Sequence, residues 1–231
     1  MHRIKVIGFD ADDTLWVNEP YFRDAEKLFC DLLANHLPAE DIAEELFKTE
    51  IGNLERYGYG VKGFTLSMME TALRISDNKV SGEIIDKILI LGKSLLEKPI
   101  ELLDDIEFLL NKLKGKYILI VATKGDHLDQ QRKLNGSGLI HHFSHIEIMN
   151  DKKETEYQKL IKHLDIKSEE FLMVGNSLKS DILPVLSIGG HAVHIPYHIT
   201  WKHEKVNNDN APKQYHEISK LAELLTILPD K

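Results

Sequence analysis

Three carboxylates, Asp10, Asp12 and Asp13, stand directly after the apolar run Ile4–Phe9. Asp10 and Asp12 are two residues apart, so an extended backbone points both to one side. Carboxylates crowded at the end of a buried strand repel one another, and a hard cation such as Mg2+ relieves that through oxygen ligands. A helix N-cap or a solvated loop is the ordinary alternative, but a trio leaving a wholly apolar strand fits a site better. Three further stretches leave apolar segments in the same way. Thr123–Lys124–Gly125–Asp126 offers a hydroxyl and backbone N–H groups at a helix start, a geometry that holds phosphate and equally suits a plain cap. Asp151–Lys152–Lys153 offers a compact positive charge; Lys152 fits the spacing to Tyr157 better, and Lys153 stays open. Gly175 permits a tight turn, and Asn176 and Asp181 bring oxygen donors, with a turn and a helix dipole partner as the alternative.

The elements that must hold these residues follow from periodicity. Ile4–Phe9, Tyr117–Ala122, the weaker segment around Ile146 and Ile148, Phe171–Val174 and Ala192–Ile195 read as short buried strands. Between the later ones lie helical stretches: Leu102–Leu113, 126–134, Glu154–Leu164 and 180–188. Strands alternating with helices predict an α/β fold, a Rossmann-like parallel sheet with helices on both faces. Ligands of such a sheet bind where the strands end, which is where the four polar stretches fall. Residues 18–98 carry only helical spacing, and Ser81 is placed to cap the last of four helices. The expected organisation is therefore a core of residues 1–17 and 99–231 interrupted by a helical insert, 18–98. Residues 202–214 read as a polar loop and His216–Ile227 as a final amphipathic helix.

The order of these motifs resembles the haloacid dehalogenase (HAD)-like hydrolase superfamily, in its phosphatase branch with a C1-type helical cap. The likeness spans essentially the whole chain and rests most on Asp-x-Asp-x-Thr at Asp10–Thr14 and on Gly175-Asn176-Ser177-x-x-Ser180-Asp181. It implies a Mg2+-dependent phosphatase that hydrolyses a small phosphate monoester through an aspartyl-phosphate. Asp10 is then the nucleophile and Asp12 the general acid and base. Thr123 and Lys152 (or Lys153) hold the phosphoryl oxygens, aided by backbone amides near Asp12 and Lys124. Mg2+ is held by Asp10, the backbone carbonyl of Asp12, and Asn176 with Asp181. Two departures stand out: Asn176 replaces the usual Asp, and no proline follows the lysine. Asp12 favours phosphate over carbon–halogen chemistry, because the dehalogenase branch lacks an acid there. In the insert, Arg56, Tyr59 and Lys62 surround a Gly-punctuated turn and are expected to meet the leaving group. A phosphotransferase or phosphomutase on the same scaffold, a phospho-acceptor module and an inactive relative are the competing readings.

Composition sets the limits. The 231 residues carry 29 Lys and Arg against 37 Asp and Glu, a net charge of −8, which disfavours nucleic acid as a partner and leaves a small phosphorylated metabolite allowed. The single cysteine, Cys30, excludes an internal disulfide and suits a reducing cytoplasm. The apolar start is too short for a signal peptide, and no run reaches membrane-spanning length. Clustered histidines (His141, His142 and His145; His191 and His194) lack a zinc-ligand pattern. Trp201 and Glu204 receive no role, and the oligomeric state is not legible.

Overall fold

The computed structural model describes residues 3–206 and 215–229. Its sheet has six parallel strands: β1 (Val6–Phe9), β2 (Ile118–Lys124), β3 (His145–Met149), β4 (Phe171–Gly175), β5 (His191–His194) and β6 (His216–Glu217). Their order across the sheet is β3-β2-β1-β4-β5-β6, so β1 lies inside, between β2 and β4. The two-residue period of the strands sorts their side chains into two cores. Ile7, Phe9, Leu119, Val121, Leu172 and Val174 face one core with Ile106, Leu109 and Leu113 of helix α5 (Ile106–Leu113; α1–α4 are given below). Val6, Ile120, Ala122, Phe171 and Met173 face the other with Tyr157, Leu160 and Ile161 of α7 (Glu154–His163), which follows α6 (His127–Gly136). Both faces are buried, which is why these strands read as unbroken apolar runs rather than alternating ones.

The chain divides into two compact units, one of Met1–Glu19, Ile100–Lys124 and Gln130–Lys231, the other of Pro20–Pro99 with Gly125–Asp129. The second holds α1 (Glu19–Leu32), α2 (Ala39–Tyr57), α3 (Val61–Ile75) and α4 (Gly82–Leu96). Its own core is built on Phe29, Leu33, Ile42, Leu46, Met68 and Ile88, all fully buried. Ser81 caps α4 by accepting the Ile84 N–H. At Gly92 a Cβ would fall 2.2 Å from Thr65 Oγ1, so α3 and α4 approach too closely for any larger residue.

Two expectations need correcting. The stretch 180–188 is a π-helical turn, Leu178–Ile182, running into the short α8 (Leu183–Ser187). The final segment is not one helix: His216 and Glu217 pair with β5 as β6, and helix resumes only as a 3-10 turn, Leu221–Glu223, and α9 (Leu224–Ile227). Helical spacing is still present in Ile218, Leu221, Leu224 and Leu228, which are buried, but pairing with an open sheet edge claims the first residues. Of the expected loop 202–214, Lys202–Glu204 forms a 3-10 turn and 207–214 lie outside the described residues.

Candidate active site

The strand register sets the site. Phe9 is level with Val121 and with Val174, so one step farther Asp10 stands level with Ala122 and Gly175. The Asp10 N–H donates to the Val174 carbonyl at 2.9 Å, which carries the strand geometry through this residue. Asp10 is 6% exposed. Lys152 Nζ lies 2.5 Å from Asp10 Oδ1 and 2.6 Å from Asp181 Oδ1, a buried ammonium bridging two carboxylates. The other Asp10 oxygen, Oδ2, is 3.1 Å from Thr14 Oγ1, and that hydroxyl is 3.4 Å from Asn176 Oδ1. Asp181 Oδ2 accepts the Ser177 N–H at 2.9 Å. Gly175 makes this possible, since a Cβ there would lie 2.3 Å from Asp181 Oδ2.

Burial pushes the Asp10 carboxyl up to about 7, against the pull of Lys152 and with the Asp181 charge adding to the rise. Burial pulls Lys152 down, but Asp10 and Asp181 outweigh it and hold the lysine above its ordinary range. Lys153, by contrast, pairs with Asp151 at 3.0 Å with its side chain 70% exposed. Of the two candidate lysines, only Lys152 reaches Asp10.

Asp12 keeps different company. Its Oδ1 accepts from Trp16 Nε1 at 2.8 Å and Lys133 Nζ at 2.7 Å, and its Oδ2 from Gln130 Nε2 at 2.7 Å. Lys133 also donates to Asn18 Oδ1 at 2.9 Å. Asp12 also lies near enough to Asp10 for its charge to raise the Asp10 carboxyl, and the backbone turns just beyond it. Asp13 takes a left-handed φ of 61° and its carboxylate accepts the N–H groups of Asn18 and Glu19. Asp13 is thus committed to the start of α1, and burial pushes it up to about 8.

Thr123 lies at the end of β2, 1% exposed. Lys124 Nζ is 2.9 Å from Ser180 Oγ and 2.5 Å from Glu204 Oε1, so its ammonium is committed within the protein and its backbone is what remains to meet an anion. Glu204 Oε2 also accepts from Ser177 Oγ at 2.5 Å and Ser180 Oγ at 2.6 Å. Burial would raise Glu204, but the Lys124 ammonium and the two hydroxyls hold it down at about 2. Sequence reading missed Glu204, Gln130 and Lys133. The first is 80 positions from Lys124 on irregular backbone, and the other two resemble the solvent face of a polar helix.

In the helical unit, Arg56 and Lys62 are exposed at the ends of α2 and α3, with Tyr59 half-buried between them; Lys62 Nζ pairs with Asp126 at 3.0 Å. His194 bonds Glu217 and the Asn176 carbonyl, an architectural use. Among the described residues no three His, Cys, Asp or Glu side chains gather as a metal cage. What does converge is a set of oxygens only: Asp10 Oδ2 and Asn176 Oδ1 around Thr14 Oγ1. That donor chemistry fits Mg2+ and not a soft metal.

A family model for haloacid dehalogenase-like hydrolases matches residues 4–189. The chain belongs to this family. A haloacid dehalogenase-like hydrolase from Xanthomonas campestris is similar in structure, with a TM-score of 0.86 and 33% identity over 97% of this chain and 90% of that one. The HAD-hydrolase YfnB from Bacillus subtilis, described as bound to magnesium, shares the fold at a TM-score of 0.67 and 22% identity over 99% of this chain and 100% of that one. The glyceraldehyde 3-phosphate phosphatase of Pyrococcus furiosus is 25% identical over 99% of this chain and 94% of its own length. The fold described above is therefore shared with the two solved structures. No helix among the described residues is long and apolar enough to cross a membrane.

Proposed function

We propose that the protein is a Mg2+-dependent phosphatase that hydrolyses a small phosphate monoester in the cytoplasm through an aspartyl-phosphate on Asp10. The observation that carries this reading is Lys152 bridging Asp10 and Asp181 inside the protein, which holds one nucleophile oxygen fixed beside a permanent positive charge. An Asp10 oxygen attacks phosphorus as the ester P–O bond breaks, and Asp12 gives the departing oxygen its proton. Asp12 then takes a proton from water as that water attacks the phosphorus, releasing phosphate and restoring the Asp10 carboxylate. Lys152, Thr123 and the backbone at Asp12 and Lys124 hold the phosphoryl oxygens, which is most of what such a transfer requires. Asp10 Oδ2, the Asp12 carbonyl and Asn176 Oδ1 are the groups to hold Mg2+, with Asp181 acting through Lys152 and the Ser177 amide rather than as a direct ligand. When bound, Mg2+ supplies further neutralisation of the phosphoryl charge.

The partner is a small phosphorylated metabolite, and the Pyrococcus furiosus relative makes triose phosphates the first class to try. The helical unit is proposed as the substrate-selecting cap, with Arg56, Tyr59 and Lys62 the positions to vary. The test is phosphate release from a panel of sugar, triose and nucleotide phosphates, with MgCl2 or with EDTA. Release that needs Mg2+ and is lost in D10N is expected. Phosphoryl transfer to a sugar acceptor without release, or no reaction across the panel, would overturn the reading.

A further inference from the structure

Glu204 sits in the short 3-10 turn Lys202–Glu204, on the segment that leaves β5, with its side chain 10% exposed. Its carboxylate joins two other strand exits to its own: Lys124 at the end of β2, and Ser177 and Ser180 in the turn after β4. Ser177 Oγ in turn accepts the Ser180 N–H at 3.0 Å, so Glu204 closes the turn that carries Asn176 on one side and Asp181 on the other. We propose that Glu204 is a positioning residue for the divalent cation: it cancels the charge of Lys124 and so restores the negative charge that Asn176, a neutral amide, does not bring.

The charge count carries the argument. Asp10 and Asp181 face Lys152, Glu204 faces Lys124, and Asp151, which also feels the Lys124 charge, is paired with Lys153. Without Glu204 the surroundings of the oxygen donors are one unit more positive, and the ammonium of Lys124 loses the carboxylate 2.5 Å from it beside the Asn176–Asp181 loop. Asp10 and Asp181 give no relief, because Lys152 already bridges them. In a poorly solvated setting one added unit of like charge weakens cation binding at several ångströms' range.

The proposal rests on the phosphatase reading for the identity of the cation, so its test is binding and not turnover. The full chain is titrated calorimetrically with MgCl2, without substrate, as wild type, E204Q, K124M and the double variant. E204Q is expected to bind Mg2+ roughly tenfold more weakly, about 1.4 kcal/mol. K124M is expected to bind it more tightly, and the double variant to return to within about threefold of wild type by the same charge balance. A purely structural Glu204 would not be rescued by removing Lys124. Unchanged affinity in E204Q, a double variant as weak as E204Q, or a wild type that binds no Mg2+ would each overturn the proposal. If E204Q does not fold, K124M decides alone, and unchanged or weaker binding in it sinks the idea. Wild type that binds Mg2+ yet releases no phosphate would reject the phosphatase reading and leave Glu204 to be judged on the titrations.

Discussion

Asp10 and Asp12 are separated by one residue and live in two different environments. Asp10 ends β1 in a nearly dry pocket, held by the Lys152 ammonium on one oxygen and the Thr14 hydroxyl on the other. Asp12 lies just before the turn, with its side chain 23% exposed and three donors from Trp16, Gln130 and Lys133. The contrast suits the two chemical jobs proposed for them. A nucleophile must be fixed and desolvated, whereas a group that gives and takes protons must stay within reach of water. The first environment comes from the sheet register and a buried charge, the second from α6.

The largest expected effect breaks the first environment. D10N should lower phosphate release by at least about a thousandfold, as removal of a covalent nucleophile does, while its circular dichroism stays native. D12N should lose about a hundredfold to ten-thousandfold, but with a qualitative difference. With p-nitrophenyl phosphate, whose leaving group needs little protonation, D12N should accumulate phosphoenzyme that D10N never forms; rapid quench with radiolabelled phosphate distinguishes them.

K152M tests the buried bridge. It leaves Asp10 and Asp181 without their shared cation, costing about 3–5 kcal/mol, or a Tm lower by about 10 °C for a chain of this size, read by thermal melts in EDTA. The loss should grow from pH 6 to pH 8. Burial raises Asp10 to about 7 even against the pull of Lys152; without that ammonium it rises further, so above about pH 7 the folded variant keeps a proton that folded wild type releases, and its stability goes on falling as pH rises. K133M sharpens the second environment: it should lower kcat about tenfold through misplacement of Asp12 and leave KM near its wild-type value. K153M, at the surface beside Asp151, should change stability by no more than about 0.5 kcal/mol and leave activity unaltered.

These contrasts also show what a sequence displays and what it hides. The alternation of apolar strands and helices was plain, because strands buried on both faces have no polar alternation to blur them, and the family followed from the order of polar residues after successive strands. The places of Asp10, Lys152, Asn176 and Asp181 follow from strand ends in register. Other features needed coordinates. The turn at Asp13, with its left-handed φ, commits that third carboxylate to the Asn18 and Glu19 N–H groups, which no apolar pattern announces. Gln130 and Lys133 are buried polar residues on a short helix whose composition reads as solvent-facing. Glu204 meets its partners only through the path of the chain after β5. The final helix failed because an open sheet edge outbid helical spacing at His216 and Glu217.

The account turns most directly on where the phosphoryl group goes. The protein should be quenched during turnover of a phosphate ester with Mg2+, reduced with borohydride, which converts an aspartyl-phosphate to homoserine, and mapped by peptide mass spectrometry. Homoserine at position 10 in the wild type, absent in D10N, is the predicted result. Steady phosphate release with position 10 unmodified, or with the modification at another carboxylate, would contradict it.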